Sequence, residues 1–190
     1  MNSSTIIVLA TALIVDPKLR LALVVRKRGS AFFMQAGGKI DAGETPFDAL
    51  QRELREEIGL EITQEQAEYL GEFHAEAVNE AGHQVHSHAF YVEINRPVFA
   101  AAEIEQIRWI DPSNVADLPL APLSKLQLMP IAAQRLAYVE KDHAYRAAIK
   151  EAIVEADKGI FISGGKVREW LEELRTNPNA LEPEPDIFKK

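Results

Sequence analysis

No cysteine occurs among the 190 residues of this chain. Disulfides, thiolate metal sites and a cysteine nucleophile are excluded, and the composition fits a reducing compartment. An excess of basic charge is lacking too: 21 Lys and Arg stand against 29 Asp and Glu, for a formal charge of -8. Sequence-independent DNA binding relies on a basic footprint and is not expected. A polyanionic substrate would need cations gathered locally. Long apolar runs are scarce. The one candidate for export or membrane insertion, TIIVLATALIV from Thr5 to Val15, is too short to span a bilayer. No basic stretch precedes it and the turn-forming DPK follows it. It reads as a buried strand, which leaves no membrane association and cytoplasmic residence as the expectation.

What is present is a globular mixture, 47% hydrophobic and 26% charged. The length suits one domain of ordinary size, with or without a small helical appendage. Residues 5–15 and 20–27 read as two strands of a hairpin joined at DPKL. A loop of small residues follows, GSAFFMQAGGKIDAGE. A helix is then well signalled: Thr45 suits the N-cap, Pro46 the first helical position, and Asp48 the acid of a capping box. Phe47, Leu50, Leu54 and Ile58 form its apolar stripe, and Gly59 stops it. AEYLGEFHAEAV and HQVHSHAFYVEI read as strands joined at NEAG, EQIRWID as a further strand, and PSNVADL as a short helix. From about residue 121 the periodicity is helical, in LSKLQLMPIAAQRL, AYRAAIKEAIVEADKG and GKVREWLEELR. The tail TNPNALEPEPDIFKK is rich in Pro and charge and reads as loosely held. The expected division is a domain over residues 1–137 and a helical extension over residues 138–190.

The stretch RELREEIG, Arg52 to Gly59, poses a physical question. Glu53, Glu56 and Glu57 stand at i, i+3 and i+4 and share a helical face. Two like charges about 4 Å apart repel by roughly 1 kcal/mol in water and about 4 at an effective dielectric of 20. Taken alone, such a face is most simply a solvated one with Arg52 and Arg55 interleaved. Upstream, however, Gly37, Gly38 and Gly43 form a glycine-rich loop ending in Glu44. Such a loop lets its backbone approach a ligand closely. Mg²⁺ takes oxygen ligands in near-octahedral array. Three carboxylates on adjacent turns with a loop carbonyl supply them, and the ion cancels their repulsion.

From Gly38 the chain reads glycine, five residues, Glu44, seven residues, Arg52-Glu53-Leu54, one residue, Glu56-Glu57, one residue, Gly59-Leu60. This 23-residue pattern resembles the signature box of the Nudix hydrolases at every fixed position. The resemblance extends more weakly over about residues 5–135. It implies an α/β fold, an α/β/α sandwich around a mixed sheet, here with a C-terminal helical extension. It also implies cleavage of a diphosphate linkage in a nucleoside diphosphate derivative, by water attack at phosphorus assisted by Mg²⁺ or Mn²⁺. Carried over by position, Glu56 and Glu57 are the main metal carboxylates and the Gly37 carbonyl a further ligand. Glu53 orients or deprotonates water and also touches metal. Arg52 positions Glu53, and Glu44 braces the loop against the helix beside Gly38. Glu103, with Glu105 as its alternative, is a further acid ahead of Trp109. Arg26 stands where some relatives place a phosphate-binding cation, or is an ordinary strand-end arginine. Ala36 departs from the proline that relatives often carry, without removing a ligand.

Branch markers for the substrate are thin. The ADP-ribose-type proline expected near Ala75 is missing, as is the diadenosine-polyphosphate-type tyrosine in the Glu76–Val78 region. IRWIDPSNVADLPLAP is similar to the branch cleaving nucleoside triphosphates, yet Leu123-Ser124-Lys125 follows without a base-reading asparagine. A nucleoside triphosphate or small nucleotide derivative is the favoured substrate. His83, His86 and His88 crowd one strand, with His86 and His88 on one side. An ordinary half-exposed strand, substrate contacts and a transition-metal site all remain open for them. Phe32, Phe33 and Phe90 could stack on a base or fill the core. Residues of about 141–175 resemble, weakly, the C-terminal arm of bacterial ribbon-helix-helix antitoxins. The matching features are Ala156-Asp157-Lys158-Gly159, Ile162-Ser163 and Val167 through Trp170-Leu171, with no DNA-binding ribbon. An extra helical pair packed on the core or forming a homodimer, and an arm for a protein partner, both remain open for these residues, and a binding protein on a Nudix scaffold is the rival to the enzyme.

Overall fold

The computed structural model describes residues 5–80, 82–157, 160–177, 179–184 and 186–188. The chain divides into two units, Met1–Val139 and Glu140–Lys190. In the first, β1 (Ile6–Asp16), β2 (Leu21–Lys27), β3 (Ala36–Lys39), β4 (Ala67–Glu76), β5 (Gln84–Glu93) and β6 (Ile104–Ile110) form a mixed sheet in the order β4-β5-β1-β2-β6, with β3 also on β1. β1 runs parallel to β5 over ten paired residues and antiparallel to β2 and β3. At the β1–β2 turn, Asp16 accepts hydrogen bonds from the Lys18 and Leu19 amides at 2.9 and 3.0 Å, an Asx turn that closes the hairpin.

Side chains alternate across the sheet and build a core on each face. Ala10, Ala12, Ile14, Leu23, Val25, Phe90 and Val92 point toward α1 (Pro46–Ile58), whose Leu50, Leu54 and Ile58 are fully buried against them. Leu13, Val15, Ala22, Val24 and Tyr91 point the other way, to Leu128, Met129, Ala132 and Leu136 at the start of α2 (Met129–Asp157). The sheet is thus filled between two helical layers, and the expected sandwich is present.

Two local expectations are corrected. AGGK, read as loop, is strand β3. Its four residues are too few and too small to show alternation, and Gly37, at φ +136, fits only because it has no side chain: a Cβ there would lie 2.2 Å from the Ala10 carbonyl oxygen. PSNVADL is not a helix but a run of turns. Asp111 takes the Ser113 amide and hydroxyl on its carboxylate at 2.8 and 2.6 Å, and the bonds that follow are isolated i to i+3 contacts. The side chain there competes with helical bonding. The helical periodicity read from about residue 121 is present: a π-helical turn over Ser124–Leu128 leads into α2, one helix over residues 129–157. Met129 donates to the Ser124 carbonyl five residues back, and Pro130 follows with no amide hydrogen to give.

In the second unit, β7 (Ile160–Phe161) pairs with β8 (Ile187–Phe188), and α3 (Gly164–Leu174) lies between them in sequence. Polar contacts run between the α3 region and the tail. The Ser163 amide donates to Asp186 at 2.6 Å, Lys166 to the Glu184 carbonyl at 3.2 Å and the Trp170 indole to the Ala180 carbonyl at 3.4 Å. Lys158 and Gly159 of the antitoxin-like features, and Ala81 of the NEAG turn, lie outside the described residues. No helix among the described residues is long and apolar enough to cross a membrane.

Candidate active site

Helix α1 is fixed at both ends by its own sequence. Thr45 and Asp48 form a reciprocal capping box, Pro46 opens the first turn, and Gly59 closes the last in the left-handed conformation. Its apolar stripe faces the sheet, and that choice of face decides where the acids go. Glu57 is completely buried and the Glu53 side chain is 13% exposed, whereas the Glu56 side chain is 53% exposed. Glu53 and Glu57 therefore turn toward β3, and Glu56 looks outward, with Arg52 at 4.0 Å.

The two glycines of β3 make room for this. A Cβ on Gly38 would fall 2.3 Å from the Glu53 carboxylate. The Gly37 amide donates to Glu57 Oε2 at 2.8 Å. Glu103 arrives at the start of the sixth strand, so that Glu53, Glu57 and Glu103 bring carboxylate oxygens within 4.8 Å of one another. Arg52 braces this group. It clasps both oxygens of Glu44 at 2.8 and 2.9 Å, donates to Glu53 at 2.7 Å and reaches the Lys39 carbonyl at 3.0 Å. Glu44 also accepts the Asp41 amide at 3.0 Å. The clasp by Arg52 and the Asp41 amide hold the Glu44 carboxyl at about 2, and the same pairing raises the Arg52 guanidinium further above its ordinary value.

Sequence reasoning missed the cation at the centre. Lys27 places its ammonium 2.8 Å from Glu57 Oε1, 3.0 Å from Glu103 and 3.5 Å from the Gly37 carbonyl. Burial alone would lower its pKa, but attraction to Glu57 and Glu103 outweighs this and holds it above the usual lysine value. Burial pushes the Glu57 carboxyl up, and Lys27 and the Gly37 amide offset part of that rise. Glu103 is drawn down by its hydrogen bond from Lys27. Arg26 points away from this cluster. It pairs with Glu105 at 3.1 Å, reaches Gln106 and the Ser30 carbonyl, and lies over the Phe33 ring. The alternation of β2 contained the missing signal. Leu23 and Val25 face α1, so Lys27 shares their side and Arg26 does not.

The acids open into a cavity of about 410 Å³ lined by Leu9, Thr11, Gln35, Val85, Leu123 and Ser124 among others. Gln35 is 3% exposed, its Oε1 accepts the Ser124 hydroxyl at 2.5 Å, and its Nε2 has no hydrogen-bond partner. Phe32, Phe33 and Phe90 do not line the cavity. Phe33 and Phe90 belong to the two cores instead.

The donor set fits a hard divalent cation. Three carboxylates and the Gly37 carbonyl present oxygen only, and Glu57 Oε1, fully buried, has an ammonium beside it but no hydrogen bond of good geometry.

The NUDIX domain family model matches residues 7–130, and that of the antitoxin RelB3 C-terminal domain matches residues 147–188. Over 88 residues the chain is 38% identical to the CTP pyrophosphohydrolase of Escherichia coli (strain K12), which covers 46% of this chain and 61% of that protein. The chain therefore spans less than two thirds of the length of this curated relative. Its fold is similar to the solution structure of the E. coli ORF135 protein, at 30% identity and a TM-score of 0.55, covering 72% of this chain and 96% of that one. It is also similar to a Chromobacterium violaceum protein described as a nudix hydrolase family member, at 27% identity and a TM-score of 0.54, covering 83% and 99%.

Proposed function

Because the chain belongs to the NUDIX family, we propose that it is a divalent-metal-dependent pyrophosphohydrolase of a nucleoside triphosphate. One observation carries this reading: Glu53, Glu57 and Glu103 converge beside a glycine-built strand at the edge of a cavity of nucleotide size. Glu53, Glu57, Glu103 and the Gly37 carbonyl would hold Mg²⁺ or Mn²⁺, with Glu56 turning in to join them. The ion supplies charge neutralisation of the diphosphate and a more acidic water.

The chain's own groups do the rest. Arg52 fixes the Glu53 carboxylate at 2.7 Å, so that it can accept the proton of the attacking water. The water oxygen bonds to phosphorus, the bridging P–O bond breaks, and the products are a nucleoside monophosphate and pyrophosphate. Lys27 keeps Glu57 and Glu103 from repelling each other and adds positive charge where the phosphates would lie. The unpaired Gln35 Nε2, on a residue lining the cavity, would donate to an acceptor on the base, and the likeness to a CTP pyrophosphohydrolase favours a pyrimidine there. The test is a product-release screen with Mg²⁺ over canonical and oxidised nucleoside triphosphates, nucleotide sugars, dinucleotides and capped RNA. Pyrophosphate release from a nucleoside triphosphate supports the reading, and activity confined to the other classes contradicts it.

A second reading concerns residues 147–188, where the antitoxin C-terminal model matches. We infer that this segment is a protein-binding arm, serving a second copy or another protein, beside the enzyme rather than in place of it. A binding module alone has no need for the buried acid cluster. Light scattering of the whole chain and of residues 1–139 tests self-association: a dimer that becomes a monomer supports a second copy as the occupant, and a monomer in both leaves only a different protein.

A further inference from the structure

The β4–β5 hairpin carries a group of side chains that pyrophosphate hydrolysis does not use. His86 and His88 lie two residues apart on β5 and share a face, and the antiparallel register sets His74 and Glu72 of β4 opposite them. Glu72, His86 and His88 each offer a ligand atom within 4.8 Å of the other two. His86 Nε2 is 2.7 Å from Glu72 Oε2. The rings of His86 and His88 stack at 5.2 Å, and His74 stacks on His86 at 4.4 Å. We propose that Glu72, His86 and His88 form a binding site for a transition-metal dication of the zinc class, separate from the acid cluster of α1.

Donor chemistry separates the two. Two imidazoles and one carboxylate make a three-ligand set suited to Zn²⁺, Co²⁺ or Ni²⁺, with a coordination position left for water. Mg²⁺ prefers an all-oxygen shell and would gain little here. The surroundings support a built site. The Tyr69 hydroxyl lies 2.9 Å from His88 Nδ1. That contact orients the ring and leaves Nε2 for the ion, the arrangement by which an outer partner fixes a ligating histidine. Both imidazoles stand on paired strands, which hold ligands more precisely than loops do. Zn–N bonds of about 2.0–2.1 Å require ligand atoms roughly 3.4 Å apart. The ligand atoms already lie within 4.8 Å of one another, so binding asks of these side chains a shift on the order of 1 Å. Binding through Nε2 requires the His86 tautomer that carries its ring proton on Nδ1.

The experiment uses the whole, metal-free chain in excess Mg²⁺, so that oxygen-preferring sites are filled. Zn²⁺ is titrated by calorimetry, and Co²⁺ by its visible absorption, whose intensity separates a low-coordinate protein site from the hydrated ion. One equivalent should bind to the wild type. His88→Gln and Glu72→Gln should each weaken it at least about tenfold, and Tyr69→Phe by up to about tenfold. The double variant His86→Ala, His88→Ala should abolish it. No Zn²⁺ binding by the wild type under excess Mg²⁺, or unchanged affinity in the double variant, would overturn the proposal. Circular dichroism checks each fold, and should the double variant be unfolded, His88→Gln at its half-exposed position decides alone.

Discussion

Residues up to 139 and those beyond order themselves by different means. The first unit has two cores, one on each face of its sheet, with Leu13, Leu23, Leu50 and Leu54 all at 0% exposure. In the second, α3 buries none of its residues. The contacts around α3 are polar and local: a backbone amide on Asp186, a lysine on a carbonyl, an indole on a carbonyl. The contrast teaches where rigidity is needed. A carboxylate as buried as Glu57 can be held charged only where the surroundings are packed and its partners fixed. A helix that leaves its residues unburied, as α3 does, is suited to gaining order from a partner, at a cost in ordering entropy.

The sharpest way to break this comparison is kinetic. Glu57→Gln keeps an acceptor for the Gly37 amide but removes the charge, and should lower kcat by about a thousandfold, on the order of 4 kcal/mol of barrier. Removal of residues 140–190 should leave kcat within about threefold, under 1 kcal/mol. Steady-state assays of both proteins check the pair, and a truncated protein as inactive as the Glu57 variant would place chemistry in the arm. Next in size is packing. Leu54→Ala, at the centre of one core, should cost about 2–5 kcal/mol, whereas Trp170→Ala in α3 should change global stability by no more than about 0.5 kcal/mol. Urea unfolding of the two variants measures the difference.

Smaller again is Lys27→Gln. It strips Glu57 of its counter-charge and should destabilise the metal-free protein by about 1–3 kcal/mol, less than a fully enclosed pair because Lys27 is partly solvated. Mg²⁺ should restore much of the loss, which thermal unfolding with and without the ion will read. The smallest effect is acid sensitivity at the Glu44–Arg52 clasp. The Glu44 carboxyl sits at about 2 in the folded chain against an ordinary 4.5. Its contribution is therefore complete above pH 4.5 and is lost as pH falls toward 2. Glu44→Gln should flatten stability against pH in that window and lower it by a small constant amount near neutrality, the two proteins converging as pH falls toward 2.

Much of α1 was legible beforehand because its information is local. Thr45, Pro46, Asp48 and Gly59 each act within one turn, and the spacing of Glu53, Glu56 and Glu57 needs only the helical period. What escaped was set by distant partners. Strand β3 exists because Gly37 lets it approach Ala10 of β1. The pairing of Gln35 with Ser124 joins residues 89 apart in the chain. Lys27 and Arg26 differ only in which face of β2 they occupy, a choice settled by Leu23 and Val25 packing on α1. The acid spacing, too, did not separate Glu56 from Glu57: only the burial of the apolar stripe decides which of the two turns inward.

The most direct test of the central claim is a crystal structure of the chain with Mg²⁺ and a non-hydrolysable nucleoside triphosphate analogue. The account predicts Mg²⁺ ligated by Glu53 and Glu57, bridging to phosphate oxygens, with the base toward Gln35. A nucleotide seated elsewhere, with Lys27 still spanning Glu57 and Glu103 and no ion between the acids, would contradict it.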